Sequence, residues 1–220
     1  MKLKTEGINE YLLKTLKKIQ RDELFNDFNL VGGTALSLHI GHRISDDIDL
    51  FTDKKFNRET IEYFIKNNID KNAKIINNQG NIFQMFIEKE RLKLDFVELP
   101  YPLLDPVIKT EEIRLAGIND ISAMKVAATG TRGYEAKDFF DLYYLLKEIT
   151  IDKIFDNFIK KYQQKDFLHY VRSVIFFDDV PDSSWNALKP LKEKVSKNEI
   201  QDKLIKEVTD FQKKYIHSRL

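Results

Sequence analysis

The spacing of apolar positions divides the chain into a first half that mixes helices with strands and a second half that is mainly helical. Ile8, Tyr11, Leu12, Leu16 and Ile19 recur three or four positions apart, which predicts an amphipathic helix over residues 8 to about 24. The apolar Phe28-Asn29-Leu30-Val31 runs into Gly32-Gly33, and Thr34 is placed to cap a short helix over 35–40. Asp47-Ile48-Asp49-Leu50-Phe51 alternates polar with apolar, as a half-buried strand does. Asn57 can cap a helix to about residue 67. Residues 74–78 and 82–89 read as strands joined by the turn Asn-Gln-Gly-Asn. Over 92–99, Leu92, Leu94 and Phe96 face one way and Lys93, Asp95 and Val97 the other. Pro100, Pro102 and Pro106 then interrupt the pattern and mark a connection. Beyond it, helices are predicted over about 120–131 (capped by Asn119), 135–147, 151–162, 167–176 and 197–218, with Phe177 to Pro181 as a break. The coarse picture is α+β: a first part over 1–106 that mixes strands with helices, and a helical part over 107–220.

Composition narrows the classes. Apolar residues make up 42% and aromatics 12%, so a buried core is feasible. The formal net charge of +1 argues against a globally basic nucleic-acid coat. With no cysteine, disulfides, thiolate zinc sites and cysteine nucleophiles are excluded. The first residues lack an apolar signal core, and no apolar run reaches the roughly 20 residues of a membrane span. A soluble, cytoplasmic protein is the expectation.

The candidate chemistry centres on Asp47 and Asp49. In a strand they point from one face, with Cα atoms roughly 7 Å apart, and no basic residue of that strand offsets them. Mg²⁺ suits such oxygen ligands, taking one or two carboxylates together with substrate phosphates. An acidic surface strand would show the same spacing; the upstream glycines change the balance. Gly32 and Gly33 let a backbone approach a phosphate, and a helix N-terminus favours anions. Asp95, on a later strand, would complete a three-carboxylate site if it lay beside the first two. Two ions held there would stabilise the entering and leaving oxygens of phosphoryl transfer.

Further candidates follow along the chain. Arg43 is placed to touch phosphate or to steady Asp47 or Asp49, and Ser45 to cap a turn or donate to phosphate. Lys125, in a helix of small apolar residues, either snorkels to water or meets a polyphosphate, with Thr129 and Arg132 on the same face. Asp138 and Asp141 share a face of the next helix. They either complement its dipole, fix Lys125 or Arg132, or help to deprotonate an attacking hydroxyl. The histidines at 39, 42, 169 and 217 are too scattered for a metal site, and Asp178-Asp179 reads as a turn.

Together, GGTALSL, GHRISDDIDLF, KLDFVELPY, ISAMKVAATGTRGYEAKDFFDLYYLL and FFDDVP resemble the AbiEii-type nucleotidyltransferase toxins of the DNA polymerase β-like superfamily. The resemblance covers residues 31 to about 185. It implies a polymerase β-like nucleotidyltransferase core followed by a helical C-terminal part, and Mg²⁺-dependent transfer of a nucleotide from an NTP with release of pyrophosphate. It further implies that Asp47 and Asp49 bind metal, that Gly32, Gly33 and Thr34 form the phosphate loop, and that Lys125 lies on the triphosphate. The acids of KDFFDL match the last motif, Asp138 ahead of Asp141, and Asp95 corresponds to the superfamily's third acid. The family's toxins resemble the effector half of a toxin–antitoxin pair used in phage defence, and some relatives modify the acceptor end of tRNA. A tRNA or other macromolecular acceptor and an antitoxin encoded nearby are therefore expected. The alternatives are a transferase acting on a small molecule such as an aminoglycoside, and a non-catalytic nucleotide-binding partner.

Overall fold

The protein is described by a computed structural model covering residues 2–110, 112–131 and 135–217. It comprises two compact units, Met1–Gly117 and Ile118–Leu220.

The first unit is built on a mixed seven-stranded sheet. Helix α1 (Glu10–Arg21) opens it, its first turn capped by the Asn9 side chain, which accepts from Leu12 N–H at 2.7 Å. A 3₁₀ turn leads to β1 (Asn29–Leu30), α2 (Gly32–Ile40), β2 (Asp47–Thr52) and α3 (Arg58–Asn68), which Asn57 caps as expected. The hairpin β3 (Lys74–Gln79) and β4 (Ile82–Ile87) follows, then β5 (Leu92–Glu98), β6 (Ile108–Thr110) and β7 (Ile113–Leu115). The spatial order is β3-β4-β5-β2-β1-β7-β6. The β2–β5 and β1–β7 pairs are parallel and all others antiparallel.

One face of this sheet is core. Ile48 and Leu50 of β2 lie in register with Leu94 and Phe96 of β5, which in turn face Met85 and Phe83 of β4, and all six are fully buried. Phe96 sits 5.8 Å from Phe25, 5.8 Å from Phe28 and 6.2 Å from Phe83, ring centre to ring centre. At about 1.5–3 kcal/mol per buried large apolar side chain, this cluster is a main source of the unit's stability.

β6 and β7 were not anticipated, because each is only three residues long and follows a proline-rich stretch. They join the sheet through β1, so the first unit extends to Gly117, past the expected division after residue 106.

The second unit is helical, comprising α4 (Ile118–Thr131), α5 (Ala136–Leu145), α6 (Ile151–Tyr162), α7 (Leu168–Ser173), α8 (Asp182–Asn186) and α9 (Lys197–His217). Helix α4 is its centre, packed against α5, α6 and α7, and its small residues let those helices approach closely. Two buried polar links tie α6 to α4. Lys161 Nζ lies 2.7 Å from Asp120 Oδ1 with both side chains fully buried, and Asn157 donates to Asn119 Oδ1 and Ser122 Oγ. Asn119 thus lies within α4, which starts one residue before it. Among the described residues, no helix is long and apolar enough to cross a membrane.

Candidate active site

Alternation along β2 buries Ile48 and Leu50 and leaves Asp47 and Asp49 on the opposite face. β5 runs parallel beside it, with Asp49 paired to Asp95 and Asp47 to Lys93. Cross-strand partners share a face and adjacent strands lie about 4.8 Å apart, so Asp47, Asp49, Lys93 and Asp95 form one charged block. Lys93 bridges part of it. Its Nζ lies 2.9 Å from Asp95 Oδ2 and 4.0 Å from Asp47 Oδ2. Burial alone would lower the Lys93 ammonium, but the charges of Asp95, Asp47 and Asp49 outweigh it and hold the group above its usual range.

Asp95 carries a second signal. It is only 7% exposed, and its Oδ1 is buried without a hydrogen-bond partner. A buried carboxylate oxygen left in this way is costly, and a cation ligand would satisfy it.

The glycine turn lies directly against these acids. Val31 N–H donates to the Asp49 carbonyl at 2.9 Å, and Gly32 has φ +70°, a left-handed conformation that glycine adopts without steric cost. A Cβ at Gly32 would overlap the Asp49 carboxylate, and one at Gly33 would overlap the Arg43 guanidinium. At these two positions the missing side chain is what lets the carboxylate and the guanidinium lie directly against the turn.

Thr34 is not the helix cap that its position suggested. Because Gly32 makes the turn, α2 already begins there, and Thr34 lies buried in its first turn. Its hydroxyl hydrogen-bonds to Asp47 O and to Ser45 Oγ, fixing the start of β2 against the helix. Ser37 Oγ donates to Arg43 O at 2.7 Å, and Arg43 Nη1 donates to Ile44 O, so the loop bearing Arg43 and Ser45 is held to α2.

The second unit carries its own charged group. Lys125 is buried rather than snorkelling, with Nζ 2.7 Å from Asp138 Oδ1 and 2.6 Å from Asp141 Oδ2. Of the readings left open for these acids, holding Lys125 is the one seen in the structure, and both aspartates do it. Arg132 lies outside the described residues.

The Mg²⁺ expected from the sequence would need oxygen ligands on this face. Among the described residues, no three histidine or acidic side chains are grouped closely enough to hold a metal ion, so the three-carboxylate site expected of Asp47, Asp49 and Asp95 is not assembled. Mg²⁺ does not require one, since it commonly binds through one or two carboxylates and takes the rest from phosphate and water. The Asp49–Asp95 pair, the unsatisfied Asp95 oxygen and the Gly32 turn fit that mode of binding.

Comparison with known proteins gives the chain a family. Residues 14–217 match the family described as nucleotidyl transferase AbiEii toxin, type IV TA system. The chain belongs to the AbiEii family. It is 34% identical to the uncharacterized protein aq_aa25 of Aquifex aeolicus (strain VF5), over 83% of this chain and 93% of that one. Among solved structures, JHP933 from Helicobacter pylori aligns with TM-score 0.51 at 20% identity, covering 95% of this chain and 93% of the other. The antibiotic-resistance factor ANT(2'')-Ia also aligns with TM-score 0.51, at 15% identity over 69% and 90%. The fold is thus the expected α+β nucleotidyltransferase type with a helical C-terminal part.

Two charged residues of this AbiEii chain escaped the sequence reading. Lys93 was placed on the same face as Asp95, but its position beside Asp47 depends on the β2–β5 register, which periodicity does not reveal. Lys161 stands in a run of polar residues that reads as solvated, and its ion pair with Asp120, on another helix, leaves no trace in the sequence.

Proposed function

We propose that this AbiEii protein is a Mg²⁺-dependent nucleotidyltransferase that transfers a nucleotide from an NTP to a macromolecular acceptor, with tRNA as the first candidate. An acceptor hydroxyl would bond to the α-phosphorus as the α–β phosphoanhydride bond breaks, pyrophosphate would leave, and the hydroxyl proton would pass to water. The in-register pair of Asp49 and Asp95 beside the Gly32 turn supports this reading. Asp49 and Asp95 would hold the ion, with Asp47 beside them on the same face. Once bound, Mg²⁺ would offset the charge of the triphosphate and of the departing pyrophosphate. The turn at Gly32 and Gly33 would let phosphate approach the backbone, and Arg43 and Ser45 lie against Gly33, where they would contact it. The family resemblance supports Lys125 as a phosphate-contacting cation, and within its own unit Asp138 and Asp141 hold its ammonium in place. Membership in a type IV toxin–antitoxin family supports a cognate antitoxin as the protein partner.

The deciding experiment incubates the protein with each α-labelled NTP and total RNA, total protein or a small-molecule extract. Label in tRNA is expected, and Asp49→Asn should abolish it while circular dichroism and melting temperature stay close to wild type. Label confined to small molecules would move the acceptor to the antibiotic-modifying class. NTP binding without transfer would leave a non-catalytic partner.

A further inference from the structure

We infer that Lys93 is the built-in counter-cation of the carboxylate face, and that a divalent ion binds there by displacing its ammonium from Asp95 and Asp47. The inference rests on the metal-site reading above and goes beyond it by assigning a residue that competes with the ion. Three carboxylates share this face, and Lys93 stands among them, 2.9 Å from one and 4.0 Å from another. An ammonium neutralises one charge, yet it leaves Asp95 Oδ1 buried and without a partner. A dication with several oxygen ligands would satisfy that oxygen, and an ammonium 2.9 Å from the other oxygen of the same carboxylate would repel it, so the ion binds more easily once the ammonium has swung away. Lysine suits an exchangeable role. Its charge sits on a flexible four-carbon stem, and the side chain is 28% exposed, so the head can move to water while the stem keeps its packing. The acidic strands are therefore kept from repelling each other until the ion arrives, at the cost of weakened ion binding when no nucleotide is present.

The test is Mn²⁺ binding without nucleotide, followed by electron paramagnetic resonance and calorimetry for wild type, Lys93→Met, Lys93→Arg and Asp49→Asn. Lys93→Met should bind Mn²⁺ about fivefold more tightly than wild type, the effect of removing one nearby charge from a partly solvated site. Lys93→Arg, which keeps the charge, should bind no tighter than wild type. Without metal, Lys93→Met should melt below wild type, and saturating Mn²⁺ should close that gap. If Lys93→Met does not fold, the Lys93 Nζ resonance of ¹⁵N-lysine wild type is followed instead, and it should shift as Mg²⁺ saturates. Unchanged or weaker Mn²⁺ binding by Lys93→Met, or an Nζ resonance indifferent to Mg²⁺, overturns the inference. If wild type and Asp49→Asn bind Mn²⁺ equally poorly, the metal-site reading itself fails, a different result from the first.

Discussion

Gly32 and Asp49 show how far single residues control the site. A side chain at Gly32 would have to adopt a strained φ and also occupy the space of the Asp49 carboxylate. Gly32→Ala should therefore cost about 1–3 kcal/mol of stability and remove transfer activity. Gly80, in the β3–β4 turn, has φ +55° and open space around it. Gly80→Ala should incur the backbone strain alone and leave transfer unchanged. Thermal melts and α-label transfer on the two variants separate strain from the overlap with Asp49. The contrast matters because both glycines look alike in a sequence; only the neighbour that each one touches differs.

At the scale of elements, two clasps dominate. Phe96 on β5 meets the rings of Phe25, Phe28 and Phe83, and Phe96→Ala should lower stability by about 3–5 kcal/mol in urea unfolding. Lys125 joins α4 to α5 through two aspartates buried with it. Lys125→Met leaves both carboxylates without their cation and should destabilise by about 3–5 kcal/mol. Adding Asp141→Asn should recover part of that loss, which a double-mutant comparison of melting curves would show. Activity lost in Lys125→Met alone is thus read together with its stability. Elements whose own residues carry the signal were legible in the sequence: β2 and β5 by alternation, α1 and α6 by helical spacing, α3 by its asparagine cap. Those defined by a distant partner were not. β7 exists because β1 accepts it, α8 is too short to carry a period, and Thr34 looks like a cap until the Gly32 turn moves the helix start. For the same reason, the faces of Asp49 and Asp95 could be read separately, while their pairing could not.

The whole molecule responds to pH through groups such as His39. Burial lowers this imidazole below its ordinary value of 6.5, outweighing its hydrogen bond to Ala116 O and the charge of Asp105. A folded state that resists protonation loses ground to an unfolded chain that accepts it, so this contribution is intact above about pH 6.5 and shrinks below it. Stability should decline from about pH 7 to pH 5, and His39→Gln should flatten that part of the profile measured by denaturant unfolding.

The parallel join of β2 to β5 also constrains synthesis. A ribosome delivers Asp47 and Asp49 early, but nothing can complete the charged face until the hairpin has emerged and β5 has docked beside them. A translation product that stalls before residue 92 would carry two acids with no β5 to face them. Chains cut short of β5 should therefore transfer no nucleotide, however well their first helices form.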